Sequence, residues 1–153
     1  MTDSRLRFWQ WWLLVSLGMQ ALTGYLIAFT LHTGLWEWHQ SRVGLALWGS
    51  GTYPAEVRAY RMWIAAVLGS TMTAWAVALL WVVAVPFARR ERWAWLCIAT
   101  SVLVWAPVDT GLSLLHGVYV NALFNVLPIM MMAVPLAATW RQFFGRGGRS
   151  TFR

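Results

Sequence analysis

The sequence predicts an all-α, polytopic membrane protein, a bundle of four transmembrane helices with a long outer loop between the first two. Three observations carry this reading. Four runs of mainly apolar residues reach the roughly 20 needed to cross a hydrocarbon core about 30 Å thick. Only 11% of the 153 residues are charged, where soluble domains carry about a quarter, while 59% are hydrophobic and 13 are Trp. The runs are also apolar on all sides, whereas barrel strands alternate in segments of about ten, which sets aside a β-barrel. A mean hydropathy of +0.55 excludes a soluble enzyme, a disordered chain and a coiled coil, and the length suits one domain.

The first span is placed at 8–31. Arg5 and Arg7 before it resemble the start of a signal peptide. Its apolar stretch is longer than the usual 7–15 residues and no small-residue cleavage site follows, so it is expected to stay as an uncleaved span. Residues 31–61 then form a long outer segment. It contains Trp36-Glu37-Trp38-His39, an apolar patch at 43–48, and a turn signal in Gly49-Ser50-Gly51-Thr52-Tyr53-Pro54. Pro54 suits the first turn of a helix running through Glu56 and Arg58 into the second span. This segment is expected to cap the bundle on the membrane surface. Loops of such length are often functional.

The second span is placed at 62–86. Ala66, Ser70, Ala74 and Ala78 recur every four residues, with Ala65, Gly69 and Thr73 on the adjoining row. Small residues at that spacing let helix backbones approach in lipid, so this span is expected to be the central packing helix. Spans three and four, at 94–116 and 119–140, follow after connections so short that spans two, three and four should be sequential antiparallel neighbours. Residues 141–153 form a basic tail, and its Gly145-Arg-Gly-Gly-Arg-Ser150 run suits anionic headgroups better than RNA.

Orientation follows from charge. All twelve basic residues are Arg, which hints at a GC-rich bacterial genome. Nine of them, at 5, 7, 89, 90, 92, 141, 146, 149 and 153, fall on one side, against Arg42, Arg58 and Arg61 on the other. Positive loops stay cytoplasmic, which predicts an inner-membrane protein with both termini inside. The same distribution explains the net charge of +7 without nucleic acid. Trp9, Trp11, Trp12, Trp93, Trp95 and Trp140 at inner ends, with Trp36, Trp38 and Trp63 at outer ends, read as aromatic belts. The single Cys97 inside an apolar run reads as a buried structural thiol.

The chemistry-bearing residues gather near the outer half. Asp109 is the one acidic residue inside a span, and an intramembrane acid counts by default as a functional-site candidate. Asp109, Ser113 and His116 recur at i, i+4 and i+7, on one helical face. Span four presents Asn121, Asn125, Pro128 and Pro135. At 1.5 Å per residue, Asp109 lies about 12 Å below Gly117 and Asn125 about 9 Å below Tyr119, so the two side chains can meet. Gln20, Thr23, Gly24 and Tyr25 of span one are expected to close the site, with His32, Glu37 and His39 at its mouth.

Three functions compete. The preferred one is an accessory subunit or a binder of a lipid or other apolar molecule, in which the polar residues fix packing around a pocket. The alternative is an intramembrane acid–base enzyme of isomerase type. Asp109 and His116 would then move a proton on an isoprenoid, sterol-like or lipid substrate that Asn121 and Asn125 orient. The third is an oligomeric proton-coupled transporter. A bis-His haem on His32 and His116 is disfavoured because both residues lie at outer ends, and a metal on His32, Glu37 and His39 because the spacing is uncharacteristic. No cofactor is predicted. The expected partners are membrane lipids, other membrane subunits and an apolar small molecule.

Overall fold

The computed structural model describes residues 3–145, and within them the chain is helical with no strand. Helix α1 is Asp3–Thr30, a 3-10 turn at Gly34–Trp36 leads into α2, Glu37–Trp48, and α3 is Ala55–Val82. A π-helical turn, Val83–Phe87, extends α3, after which α4 covers Arg92–Leu115 and α5 Tyr119–Phe144. Helices α1, α3 with its extension, α4 and α5 are each long and apolar enough to cross a membrane. The chain is thus of multi-pass membrane type. Arg146, Arg149, Arg153 and most of the basic tail lie outside the described residues.

The helices overrun the expected spans mainly at one end, with α1 beginning at Asp3 and α5 continuing to Phe144. Hydropathy marks where the chain is apolar, whereas helix length is set by backbone hydrogen bonds that continue through polar flanks. Pro54 precedes the first residue of α3, so the expected short helix and span two are one continuous helix. At the far end, Pro86 has no N–H to offer and the ladder widens into the π turn. The chain then reverses through Arg90, at φ 60°, and Glu91 N–H reaches Pro86 O at 3.0 Å.

We call the end that holds the start of α1, the α3–α4 turn and the end of α5 the base, and the opposite end the crown. The apolar core sits toward the base. Leu13 and Leu17 of α1, Val83 and Phe87, Ile98 of α4, and Met132 and Phe143 of α5 are all essentially buried in one cluster. Toward the crown the buried residues are small or polar: Gln20, Gly24, Gly69, Ser113 and Asn125. There the bundle resolves into two helix pairs.

One pair is α1 with α3. Gly24 and Gly69 meet backbone to backbone, and Thr73 Oγ1 donates to Ala21 O at 3.2 Å. The expected small-residue stripe is therefore displaced by one row, since Ser70, Ala74 and Ala78 face outward while Gly69 and Ala76 are buried. A row of Ala and Ser is apolar enough to face lipid, and only Gly allows the closest backbone approach. The other pair is α4 with α5, and α1 also packs along α5. Spans three and four are neighbours as expected. Spans two and three are not joined along their length: α3 and α4 touch chiefly at the base and through Trp75 and Trp105, whose ring centres are 6.1 Å apart.

Helix α1 donates side-chain hydrogen bonds to backbone carbonyls at two irregular points of its neighbours. Pro135 cannot donate to Met131 O, four residues back, and Trp12 Nε1 of α1 donates to that oxygen at 2.9 Å. In the π turn beside Pro86, Gln10 Nε2 of α1 donates to Val83 O at 3.2 Å and approaches Ala84 O at 3.4 Å. In lipid an unpaired carbonyl costs several kcal/mol, so these contacts fix α1 against both neighbours. Trp12 thus holds a specific hydrogen bond beyond any role in a belt.

Candidate functional site

The polar site is built by the α4–α5 hairpin. Gly117 takes φ 70°, Val118 N–H donates to Ser113 O at 2.8 Å and Gly117 N–H to Leu114 O at 3.1 Å, so α4 ends on a glycine cap and α5 begins two residues later. This tight turn fixes the register between the helices. Asn121 Nδ2 donates to Asp109 Oδ1 at 3.0 Å and Asn125 Nδ2 to Asp109 Oδ2 at 3.2 Å, so each carboxylate oxygen has its own amide. The remaining amide hydrogens serve α4 as well: Asn121 Nδ2 contacts Ser113 Oγ at 2.8 Å and Asn125 Nδ2 contacts Thr110 Oγ1 at 3.2 Å. Ser113 Oγ closes the set by donating to Asp109 O at 2.7 Å.

Of the residues singled out in the sequence, Asp109, Ser113, Asn121 and Asn125 come together, with Ser113 and Asn125 buried and Asp109 and Asn121 half-buried. Thr110 joins them unanticipated. Its proximity to Asp109 was the available signal, but only the reach of Asn125 gives it a role. His116 does not join: it is exposed beyond the last turn of α4, about 10 Å along the axis from Asp109, and no hydrogen bond links the two. Sharing a helical face is insufficient when the rise between residues exceeds side-chain reach.

The expected wall from α1 is corrected in three places. Tyr25 is exposed and stacks on Phe29 with ring centres 4.7 Å apart, Gly24 lies against α3, and Thr23 Oγ1 bonds its own helix at Met19 O. Tyr25 thus lies on the exposed side of α1 and Gly24 on the side that meets α3, and neither reaches the cluster. Gln20 is buried, and its Nε2 has no hydrogen-bond partner among the described residues.

The segment between α1 and α3 has a polar hub that sequence reasoning missed. Gln40 Nε2 bonds Leu31 O, and Gln40 Oε1 accepts from Arg61 Nη1 and Nη2, each at 3.3 Å. Tyr53 Oη donates to Gln40 O at 2.8 Å, and the Arg61 guanidinium lies 3.2 Å from the Tyr53 ring centre. This hub ties α2 to the start of α3, while Trp38 and His39 pack on Phe124 of α5 at 6.0 and 5.4 Å between ring centres. Burial, and then the positive charge of Arg61, hold the His39 imidazole below its ordinary value of 6.5. Burial pushes the Tyr53 phenol up, with Arg61 opposing. No spacing rule links residues 40, 53 and 61, so only the tertiary structure reveals the hub.

His32 and Glu37 are exposed, and among the described residues no three His, Cys, Asp or Glu side chains converge as metal ligands would. His32, Glu37 and His39 thus do not form the metal cluster considered above. His32 lies after α1 and His116 after α4, both exposed. Cys97 is half-buried beside the core. A groove of about 720 Å³ lies at the base between α4 and α5, and none of the Asp109 cluster lines it. Comparison with protein-family models, with curated proteins and with solved structures finds no match to this chain.

Proposed function

We propose that this chain is a non-catalytic inner-membrane protein of accessory-subunit or lipid-binding type, in which the Asp109 cluster is a clasp closing the α4–α5 hairpin. The observation that carries this reading is the closed hydrogen bonding of the cluster. Both carboxylate oxygens and both asparagine amides are engaged with one another, across two helices that a tight turn already makes neighbours. Polar groups engaged in this way fix helix packing in lipid, whereas a general acid or base must present an atom to a substrate. The imidazole that an acid–base pair needs, His116, is exposed past the end of α4, about 10 Å along the axis from Asp109.

Charge supports the orientation. Arg5, Arg7, Arg89, Arg90, Arg92 and Arg141 lie at the base, and Arg42, Arg58 and Arg61 at the crown. Excess Arg marks the cytoplasmic side, so the base and both termini face the cytoplasm and α2 covers the periplasmic end of α5. Reporter fusions after Arg153 and within residues 49–53 should be active on opposite sides of the membrane.

The clasp is tested by Asp109→Asn in lipid nanodiscs. An amide at 109 keeps one acceptor and turns an N–H₂ toward a donor, which should cost about 1–2 kcal/mol and lower the melting temperature. Native mass spectrometry of the wild type should show a second membrane chain or bound lipid. An Asp109→Asn protein with unchanged melting that loses a bound small molecule or a measurable turnover would overturn the reading in favour of a ligand or catalytic site.

A further inference from the structure

The groove at the base has a shape and charge distribution unrelated to the Asp109 clasp. Its floor is made small by Ala99 of α4 and Ala133 and Ala137 of α5, and Trp95 and Trp140 form one end. These walls are fixed: Trp95 Nε1 donates to Leu136 O at 3.1 Å, and the two indoles meet edge to face at 4.9 Å. From the level of Trp95 to that of Leu103 the groove follows the helices for about 12 Å, or a little over two turns. Its volume of about 720 Å³ falls within the usual range for small-molecule sites.

Charge is confined to the tryptophan end. Arg5, the third residue of α1, and Arg141, near the end of α5, are the charged residues lining the groove, and among the described residues no acidic one lines it. Both side chains are exposed, and neither forms an ion pair among the described residues. The site therefore has two unneutralised guanidiniums at one end and an apolar trough leading away from them toward mid-helix. A partner helix would need contact along many turns and an acid at one end. A trough of two turns with paired cations at its mouth fits an amphiphile with an anionic head and an aliphatic tail.

We propose that this groove holds one anionic phospholipid, its phosphate on Arg5 and Arg141 and one acyl chain along the alanine floor. The inference rests on the membrane reading above and places the guanidiniums at headgroup depth, since each lies within a turn of the end of a membrane-length helix. Guanidiniums suit phosphate because their planar donors match its oxygens.

The test is native mass spectrometry of delipidated protein in detergent titrated with phosphatidylglycerol or phosphatidylcholine. The wild type should retain one phosphatidylglycerol in preference to phosphatidylcholine. The double variant Arg5→Gln/Arg141→Gln should lose about thirty-fold in phosphatidylglycerol affinity, from the usual contribution of each Arg near an anionic surface. Arg5→Lys/Arg141→Lys should keep most of it, and Arg7→Gln, outside the groove, should change nothing. Ala137→Trp should block the trough and abolish retention, with circular dichroism showing that helical content is kept. Equal retention of the two lipids, indifference to the double Gln variant, or a second protein chain in place of lipid that Ala137→Trp displaces would each overturn the proposal. Failure of the wild type to float with liposomes would instead overturn the membrane reading itself.

Discussion

Replacing Gly69 by Ala should unlock the crown of the bundle. A Cβ built on Gly69 meets Ala28 N at 2.7 Å and Ala28 Cβ at 3.0 Å, and lies closer still to Gly24 O, while ordinary contact begins near 3.4 Å. Every one of these atoms is backbone or Cβ, so no rotamer change relieves the clash and α1 must move off α3 by roughly 1 Å. A gap of that size forfeits a quarter to a half of each dispersion contact along the crown interface. It also takes the Thr73–Ala21 hydrogen bond, now 3.2 Å, beyond useful length. Overpacking of this kind costs about 1–3 kcal/mol, and an interhelical hydrogen bond in lipid averages about 0.6, so a loss of about 2–3 kcal/mol is expected.

The controls have the opposite sign. A Cβ on Gly18 or Gly111, both inside helices, meets nothing within 4 Å, so Gly18→Ala and Gly111→Ala should stabilise by about 0.5–1 kcal/mol through helix propensity alone. Reversible unfolding in mixed micelles, followed by Trp fluorescence, measures all three variants. Were Gly69→Ala to prove neutral or stabilising alongside its controls, the close approach of α1 and α3 would not be what holds the crown together.

Two further outcomes can be checked on the same preparations. Trp12→Phe keeps the ring but removes the N–H that occupies Met131 O beside Pro135, and should destabilise by about 1–3 kcal/mol; Pro135→Ala in the same chain, which lets the helix satisfy that oxygen itself, should recover part of the loss in a double-mutant cycle. For His39, the folded imidazole is held neutral below 6.5. Above pH 6.5 it is neutral whether α2 is docked or released, and the docked state keeps its full stability. As pH falls through 6.5 toward the lower folded value, the released state takes up the proton first and docking weakens. Hydrogen exchange in α2 should therefore accelerate on acidification below 6.5 in the wild type and lose that pH dependence in His39→Phe.

Much of the site was legible because it is local. Asp109 stands out as the acid inside a span. Gly117 and Val118 permit only a tight turn, and a rise of 1.5 Å per residue then brings Asn121 and Asn125 level with Asp109. The same local reading misplaced His116, because face and reach are separate conditions, and passed over Thr110, whose role depends on an amide arriving from α5. Nothing local marked Gln40, Tyr53 and Arg61 as one hub, since their contacts span up to 21 residues and join two helices across a turn.

The sequence by itself determined that the chain makes four membrane-length helices, where they lie to within about two turns, and which side carries most of the Arg. These follow from apolar run length and charge, properties each segment has alone. The tertiary structure decided which helices pair, that Gly69 and not the Ser70 row faces α1, that Trp12 occupies the carbonyl Pro135 leaves free, and that Arg5 and Arg141 share a groove with two alanine-lined helices. The physical reason is that a lipid-facing surface is as apolar as a packed one. Hydrophobic periodicity, which tells a soluble helix which face to bury, is nearly silent here, and pairing is settled by close steric fit and by the few hydrogen bonds that cross between helices.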